Sequence, residues 1–511
     1  MSAAHDPATS QARELMGQAS ALHRQGRVAP SIPLFAQALA LDPRHAEGWN
    51  ELGHALQSEG RYAEAVDAFG SALEQRVERA HEVHLQRAVL YADHLRRDDA
   101  AQAELQAAIA LKPDYLPALL NLGNLHEQRG ERAQALACYD RILADATLAH
   151  NSDATLRWVA LARSAIMRPA VDRDDPLLGR LQAAADAAGS DHHVRANLLF
   201  ALGQCWDRLR DRAQAFEAFA KGNRCLLRQS GRLYDRQHAA RLTDAFIAAF
   251  PDARLHIDRA RRVGATPLFI CGMFRSGSTL IEQVLAAHPQ VVAGGERDWL
   301  LRTAAQRMAP FPASMARLDA AREAALADEY AAHLAQLFPS AATGMYITDK
   351  RPDNFQLIGL IKRLFPTARI VHTTRNPLDN GLSVFMQHLN LQVAAYAGDL
   401  GDIGHYYGEY RRLMAHWKSL YADSIFDFDY DAFVRDPKPA LQRLLAFLGL
   451  EWDERCMEFH AQRNTVKTAS YWQVRRPLYG EASGRWRNYR ENLGPLVQAL
   501  RSAGVVIDDT Q

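Results

Sequence analysis

The stretch from Pro267 to Glu296, PLFICGMFRSGSTLIEQVLAAHPQVVAGGE, constrains the fold more than any other part of the chain. Pro267 to Cys271 is a short apolar run closed by Gly272, the pattern of a strand buried on both faces of a parallel sheet. A turn follows, carrying Gly272, Arg275, Ser276, Gly277 and Ser278. Thr279 then begins a helical pattern with apolar residues at Leu280, Ile281, Val284 and Leu285. Backbone N–H groups of such a loop, at the positive end of a helix, cradle an anion. An ATP-type loop needs a lysine directly after its second glycine. Here Ser278 stands in that place, and Arg275 precedes the glycine, which argues against an ordinary NTPase or kinase. The helix ends at His288-Pro289, and Val291 to Ala293 reads as a second short strand. Gly294-Gly295 then presents Glu296 at the carboxyl edge of the sheet, where open α/β sheets keep their ligands, so Glu296 is a candidate base.

The rest of the chain bounds the class. Its 511 residues are enough for about three domains, and a formal net charge of +1 gives no global field for nucleic acid or a membrane surface. Cys138, Cys205, Cys225, Cys271 and Cys456 form no CxxC pair and no zinc spacing, so reduced, buried thiols and no metal are expected. The N-terminus lacks the basic and apolar regions of a signal peptide, and no apolar run is long enough to span a membrane. A soluble cytoplasmic protein is the expectation.

Residues 12–150 repeat. Trp49, Leu52-Gly53, Gly60, Ala65, Phe69 and Ala72 make the best copy; Leu119, Leu122-Gly123, Gly130, Ala135 and Tyr139 make the next. An earlier copy keeps Ala19, Gly26, Phe35, Ala38 and Pro43, and a degenerate one keeps Leu85, Ala88, Ala101, Ala108 and Pro113, with successive offsets of 34, 36 and 34 residues. The period and the small and bulky positions resemble tetratricopeptide repeats, which implies an α-helical solenoid whose groove binds a protein or peptide partner. A spacer or a dimerisation element, hence a homodimer, is the alternative. Pro30 and Pro33 predict that the second helix is shortened or kinked. Residues 151–262 read as a helical connector with a further, divergent repeat at Leu199, Leu202-Gly203, Trp206, Ala215 and Phe219.

Residues 263–511 carry the chemistry. Tyr346-Ile347-Thr348 forms a strand running into Asp349-Lys350-Arg351, and Arg369 to Thr374 forms a third strand running into Arg375, with Ser383 on the helix behind it. Arg275, Lys350 and Arg375 thus end three strands, and cations converging on one sheet edge imply a ligand with several negative charges.

On these residues the half resembles sulfotransferases that use PAPS (3'-phosphoadenosine 5'-phosphosulfate). It is most similar to tyrosylprotein sulfotransferases and their bacterial relatives fused to tetratricopeptide repeats. RSGST followed by the AHP turn and Glu296 matches the 5'-phosphosulfate loop and catalytic glutamate; Lys350 in TDKRP matches the catalytic lysine; Arg375 and Ser383 match the 3'-phosphate pair. Tyr430, and a C-terminal loop running from Ser470 through Gln473, Val474, Pro477, Glu481 and Ala482 to Arg485 and Trp486, match cofactor contacts. The resemblance implies a P-loop-type α/β domain with a parallel sheet. It implies Glu296, Lys350, Arg275 and Ser470 as catalytic groups, and Arg275, Ser276, Gly277, Ser278, Thr279, Arg375, Ser383, Tyr430, Ser470 and Arg485 as donor contacts. Three positions depart from the family: Phe274 replaces a proline, Gln387 an arginine on the 3'-phosphate helix, and Asp298 an arginine directed at acidic peptides, while Arg302 retains a second such arginine for substrate.

The expected reaction is sulfuryl transfer from PAPS to an acceptor hydroxyl, leaving adenosine 3',5'-bisphosphate and needing no metal. The sequence does not distinguish a protein tyrosine from a carbohydrate hydroxyl or a small phenol as the acceptor, and Asp298 argues against a tyrosine flanked by acids; a non-catalytic nucleotide-binding scaffold is the competing class. His288 and His372 are expected to be structural. The arginines around Trp486 suit a doubly phosphorylated small molecule rather than nucleic acid.

Overall fold

The computed structural model describes residues 7–144, 151–231, 233–253, 264–461, 478 and 482–507. The chain divides into two compact units, Met1–Ser164 and Ala165–Gln511.

The first unit is helical: α1 (Pro7–Arg24), α2 (Val28–Leu41), α3 (Ala46–Ser58), α4 (Tyr62–Glu74), α5 (Ala80–Val89), α6 (Asp98–Leu111), α7 (Leu116–Arg129) and α8 (Arg132–Ala144), with most of α9 (Asn151–Met167). Consecutive helices pair as hairpins. The turns explain the period: Gly26, Gly60 and Gly130 take φ of 75°, 75° and 79°, a conformation that glycine adopts without steric cost. In the degenerate copy Arg96 accepts the same region at φ 53°. The repeat also encodes its packing. A Cβ on Gly53 would lie 2.6 Å from the Phe69 ring, and one on Gly123 would lie 2.5 Å from the Tyr139 ring. Each aromatic thus fills the space that a glycine leaves open, and Phe35, Phe69 and Tyr139 are fully buried. The Tyr139 hydroxyl donates to Glu127 at 2.6 Å, and Arg163 donates to the same carboxylate oxygen at 3.1 Å, so the buried phenol is satisfied.

The expected shortening of the second helix does not occur. α2 runs 14 residues with Pro33 inside it. Pro30 lies in the first turn, where its missing N–H has no intrahelical partner to lose, and Pro33 removes a single bond.

In the second unit, α10 (Pro176–Ala187), α11 (His192–Arg208), α12 (Arg212–Ser230) and α13 (Arg236–Ala249) lead into the sheet. The segment expected as a connector is therefore divided: most of α9 lies with the first unit, and α10–α13 lie with the second. The α11–α12 hairpin is built as a repeat, because Gly203 would meet Phe219 at 2.8 Å and Arg210 takes φ 61° at its turn. It packs on the sheet-bearing half. The Asn223 amide donates to the Phe385 carbonyl at 2.8 Å, and the Phe216 and Phe385 rings stack at 5.3 Å.

The sheet is β1 (Thr266–Gly272), β2 (Val291–Val292), β3 (Tyr346–Lys350), β4 (Arg369–Thr374) and β5 (Ile425–Asp429), all parallel in the order β2-β3-β1-β4-β5. The second strand stops at Val292, one residue short of the sequence reading. β1 is followed by α14 (Ser278–Ala286), and α15 (Trp299–Arg302) and α16 (Ala320–Leu337) lie between β2 and β3. Then come α17 (Ile358–Leu364), α18 (Pro377–Phe385), α19 (Leu400–Tyr421), α20 (Tyr430–Arg435), α21 (Pro437–Leu448) and α22 (Gly494–Ser502). The order matters for the site: β3, β1 and β4 are adjacent, so the segments bearing Lys350, Arg275 and Arg375 leave the sheet side by side. All five cysteines are free and buried. Among the described residues no helix is long and apolar enough to cross a membrane.

Phe69→Ala should cost about 3–5 kcal/mol, because a fully buried ring is lost against a glycine that cannot close the cavity. Chemical denaturation of the full chain followed by circular dichroism checks this.

Candidate active site

The loop after β1 is shaped by contact with β4. Gly272 has φ 152°, and a Cβ there would lie 2.4 Å from the Thr373 carbonyl oxygen, so only glycine lets the two strand ends approach this closely. Ser276 secures the turn. Its hydroxyl donates to the Met273 carbonyl at 2.7 Å and lies 2.6 Å from the Thr373 hydroxyl, which donates to Cys271 at 3.1 Å. Of the expected donor contacts, the Ser276 side chain is therefore turned into the loop. Gly277 has φ 103° and Ser278 opens α14, with Thr279 beside it. A Cβ on Gly277 would strike the Tyr430 ring at 2.6 Å, so Tyr430 covers the loop.

Arg275, Arg375, Ser383 and Tyr430 are brought together. The Arg275 Nε donates to the Ser383 hydroxyl at 3.2 Å, which joins the loop after β1 to α18. Arg375 donates to the carbonyl of Arg275 at 3.1 Å and to that of Ala482 at 2.5 Å, and its guanidinium lies 4.8 Å from the Tyr430 ring centroid. Its Nε is buried without a hydrogen-bond acceptor, and among the described residues it makes no ion pair. Its hydrogen bonds go to neutral carbonyls, and Asp379 lies near enough to feel its charge, so the guanidinium is only partly compensated and suits an incoming anion.

α18 holds this arrangement through two residues that the sequence reading passed over. Asn380 donates to the Phe274 carbonyl at 2.9 Å, fixing the loop after β1. Asp379 accepts from the N–H groups of Gly484 and Trp486 at 2.6 and 2.8 Å, fixing the C-terminal segment, and burial pushes its carboxyl up. Asp379 lies one helical turn before Ser383 and so shares its face, a spacing visible in the sequence.

On the other side of β1, Lys350 is fully buried and donates to the Glu296 carboxylate at 2.6 Å, while the Glu296 side chain stays 38% exposed. Arg351 is paired in a fork to Asp353 at 2.9 and 2.8 Å. A third missed residue, Glu282 on α14, sets the Glu296 turn: one of its buried oxygens accepts from the Gly295 N–H at 2.9 Å and the Thr348 hydroxyl at 2.7 Å. Thr348 accepts in turn from the Gly294 N–H at 2.9 Å. A Cβ on Gly294 would fall 1.8 Å from the Thr348 carbonyl, so the turn tolerates no side chain there. The sequence signal for Glu282 was a carboxylate inside an apolar helix, one turn after Ser278. Asp349 points to the opposite face of β3. Burial pushes it up to about 6, while Tyr330 and Asn354 donate to it at 2.6 and 3.0 Å.

Two expected residues stand apart. Arg485 pairs with Asp207 of the α11–α12 hairpin rather than joining the Arg375 cluster. Arg302 is half exposed, and its nearest carboxylate is Asp298 at 3.9 Å. Ser470, Gln473, Val474, Pro477 and Glu481 lie outside the described residues. Both histidines are structural in their contacts. His288 is held between the Glu451 carbonyl and the Gln290 N–H, at 3.1 Å each. His372 lies between Asp427 and the Tyr410 hydroxyl, and burial lowers its basicity. Among the described residues no group of histidine, cysteine and carboxylate side chains is arranged to hold a metal.

Glu282→Ala should leave two donors unpaired, each costing about 1–3 kcal/mol, and should disorder the Glu296 turn. Urea unfolding measures the first effect, and amide exchange at Gly295 the second.

Comparison with known proteins agrees with this geometry. The sequence model of the sulfotransferase family matches residues 267–454, and tetratricopeptide-repeat models match residues 34–67 and 118–149. An uncharacterized protein of Aquifex aeolicus (strain VF5) is 26% identical over 80% of this chain and 53% of its own length. Protein-tyrosine sulfotransferase 1 of Danio rerio is 25% identical over 43% of this chain and 65% of its own. This chain therefore spans less than two thirds of either relative. The solved sulfotransferase domain of the Synechococcus PCC 7002 olefin synthase aligns over 49% of this chain and 99% of its own, at 19% identity and a TM-score of 0.35. Residues 267–454 thus match the sulfotransferase family model and bear the parallel sheet, and segments that match tetratricopeptide-repeat models precede them.

Proposed function

We propose that the protein transfers a sulfuryl group from PAPS to an acceptor hydroxyl, and that its repeats recruit the acceptor or a partner protein. The observation that carries this is the pairing of two separate sites on adjacent strands: a cation cluster of Arg275 and Arg375 with Ser383, and a base–lysine pair of Glu296 and Lys350.

The residues fit such a donor. The turn from Gly272 to Thr279 has the close backbone approach and positive φ values of an anion cradle, and among the described residues the Arg375 Nε is without an acceptor. PAPS supplies the sulfuryl group on its 5' phosphate and a second anion at its 3' position. Arg375 and Ser383 would hold the 3' anion, with Tyr430 over the loop, and Arg275, hydrogen-bonded to Ser383, would meet the phosphosulfate end. The N–H groups of Gly277, Ser278 and Thr279 would face the 5' end.

Glu296 would take the acceptor proton. Its exposed carboxylate is oriented by Lys350, and the two groups act in sequence. While Glu296 is ionised it engages the Lys350 ammonium. Once it is protonated that ammonium is freed to meet the negative charge growing on the departing phosphate oxygen. A protein tyrosine is the first acceptor to test, because relatives bearing this domain are named protein-tyrosine sulfotransferases.

Glu296→Gln should lower transfer by about a hundredfold to ten-thousandfold with PAPS affinity kept. Lys350→Met should lower it by roughly a hundredfold to a thousandfold. Mass spectrometry of lysate proteins and glycans incubated with the full chain and PAPS measures transfer and identifies the acceptor. Absence of any sulfated product while PAPS binds would leave only a nucleotide-binding scaffold.

A further inference from the structure

The α11–α12 hairpin ends in a carboxylate that faces the C-terminal segment. Asp207, on the last turn of α11, accepts from the Arg485 guanidinium through one oxygen and from the Tyr489 hydroxyl through the other. Arg212, at the start of α12, donates to the same side chain and, at 2.7 Å, to the Asp207 carbonyl. Its guanidinium lies 5.6 Å from the centroid of the buried Tyr489 ring. One largely buried carboxylate, its side chain 15% exposed, thus gathers two arginines and a tyrosine.

Arg485 and Tyr489 belong to the short helix Arg485–Asn492. The residues leading into that helix are tied to the donor side of the site: the Ala482 carbonyl accepts from Arg375, and the Gly484 and Trp486 N–H groups donate to Asp379. Segment 482–489 is therefore clamped twice, by Asp379 on α18 and by Asp207 on the hairpin. We infer that Asp207 is a positioning residue for donor binding, so that a repeat-type hairpin is a working part of the transferase site. It acts through Arg485 and Tyr489, which set where the Ala482 carbonyl meets Arg375. A cation in this place does not touch the donor; it anchors the strap that orients the cation that does. This rests on the proposed reading that Arg375 receives the donor's 3' phosphate.

Adenosine 3',5'-bisphosphate titrated calorimetrically into the full chain separates the two levels. If the wild-type protein does not bind it, the donor reading itself fails. If it binds, Asp207→Asn, which keeps shape and removes charge, should weaken binding about tenfold. The KM for PAPS should rise equally, with kcat and the acceptor KM unchanged. Arg485→Ala should weaken binding in the same direction, and the double variant should be no weaker than Asp207→Asn alone, because Arg485 acts through Asp207. Wild-type or tighter binding by Asp207→Asn, or additive losses in the double variant, would overturn the inference, additivity meaning that Arg485 acts on the donor directly. Should Asp207→Asn fail to fold, Tyr489→Phe carries the test. A KM for PAPS raised about threefold at constant kcat supports the inference, and an unchanged one overturns it.

Discussion

Arg375 is the interaction on which the donor side of the site depends. Taking a guanidinium half out of water is costly unless its donors are satisfied, and here two of them reach backbone carbonyls from chain segments 100 and 107 residues away, those of Arg275 and Ala482. The same cation therefore fixes the phosphate loop and the C-terminal strap, and neither bond cancels its charge. Tyr430 covers it and also fills the space beside Gly277, so loop, cation and ring pack as one body. The strand order makes this possible, because β1 and β4 are neighbours and Gly272 lets their ends close on each other.

Around that cation the second unit is continuous. α18 sends Asp379 to the strap, Asn380 to the loop and Ser383 to Arg275 from successive turns of one short helix. The helices before the sheet are part of the same body. Phe250, which follows α13, fills the space at Gly359 and packs edge-on against Trp417 at 5.3 Å, and the α11–α12 hairpin meets Phe385 at the end of α18. A hairpin with the glycine–aromatic packing of the repeats thus sits within the sheet-bearing unit, which makes residue 263 a change of chemistry rather than a boundary between compact units.

Much of this was legible in the sequence because it rests on local rules. The repeat period announced the helical hairpins, the apolar runs announced β1, β3 and β4, and the charged strand ends announced Arg275, Lys350, Glu296 and Arg375. What stayed hidden depends on tertiary partners. Ser276 looks like a donor contact until its hydroxyl is seen to serve Met273 and Thr373. Arg485 looks like another until Asp207, 278 residues away, is seen to hold it. Glu282, Asp379 and Asn380 read as ordinary polar positions on helices, and only the backbone N–H and C=O groups they meet give them meaning. β5 was missed because Asp427 and Asp429 interrupt its apolar residues; in the fold His372 and Lys418 partner Asp427, whose carboxyl their hydrogen bonds hold down at about 2 against the effect of burial.

The central claim is that the Arg375 cluster is built for a phosphate at the 3' position of an adenine nucleotide. Its most direct test is the affinity of the full chain for adenosine 3',5'-bisphosphate against adenosine 5'-phosphate, measured with the wild-type protein and with Arg375→Ala. The account predicts a preference for the bisphosphate of about tenfold or more, the worth of a charge-assisted contact, and its disappearance in the variant. Equal affinity of the wild-type protein for the two nucleotides would contradict it.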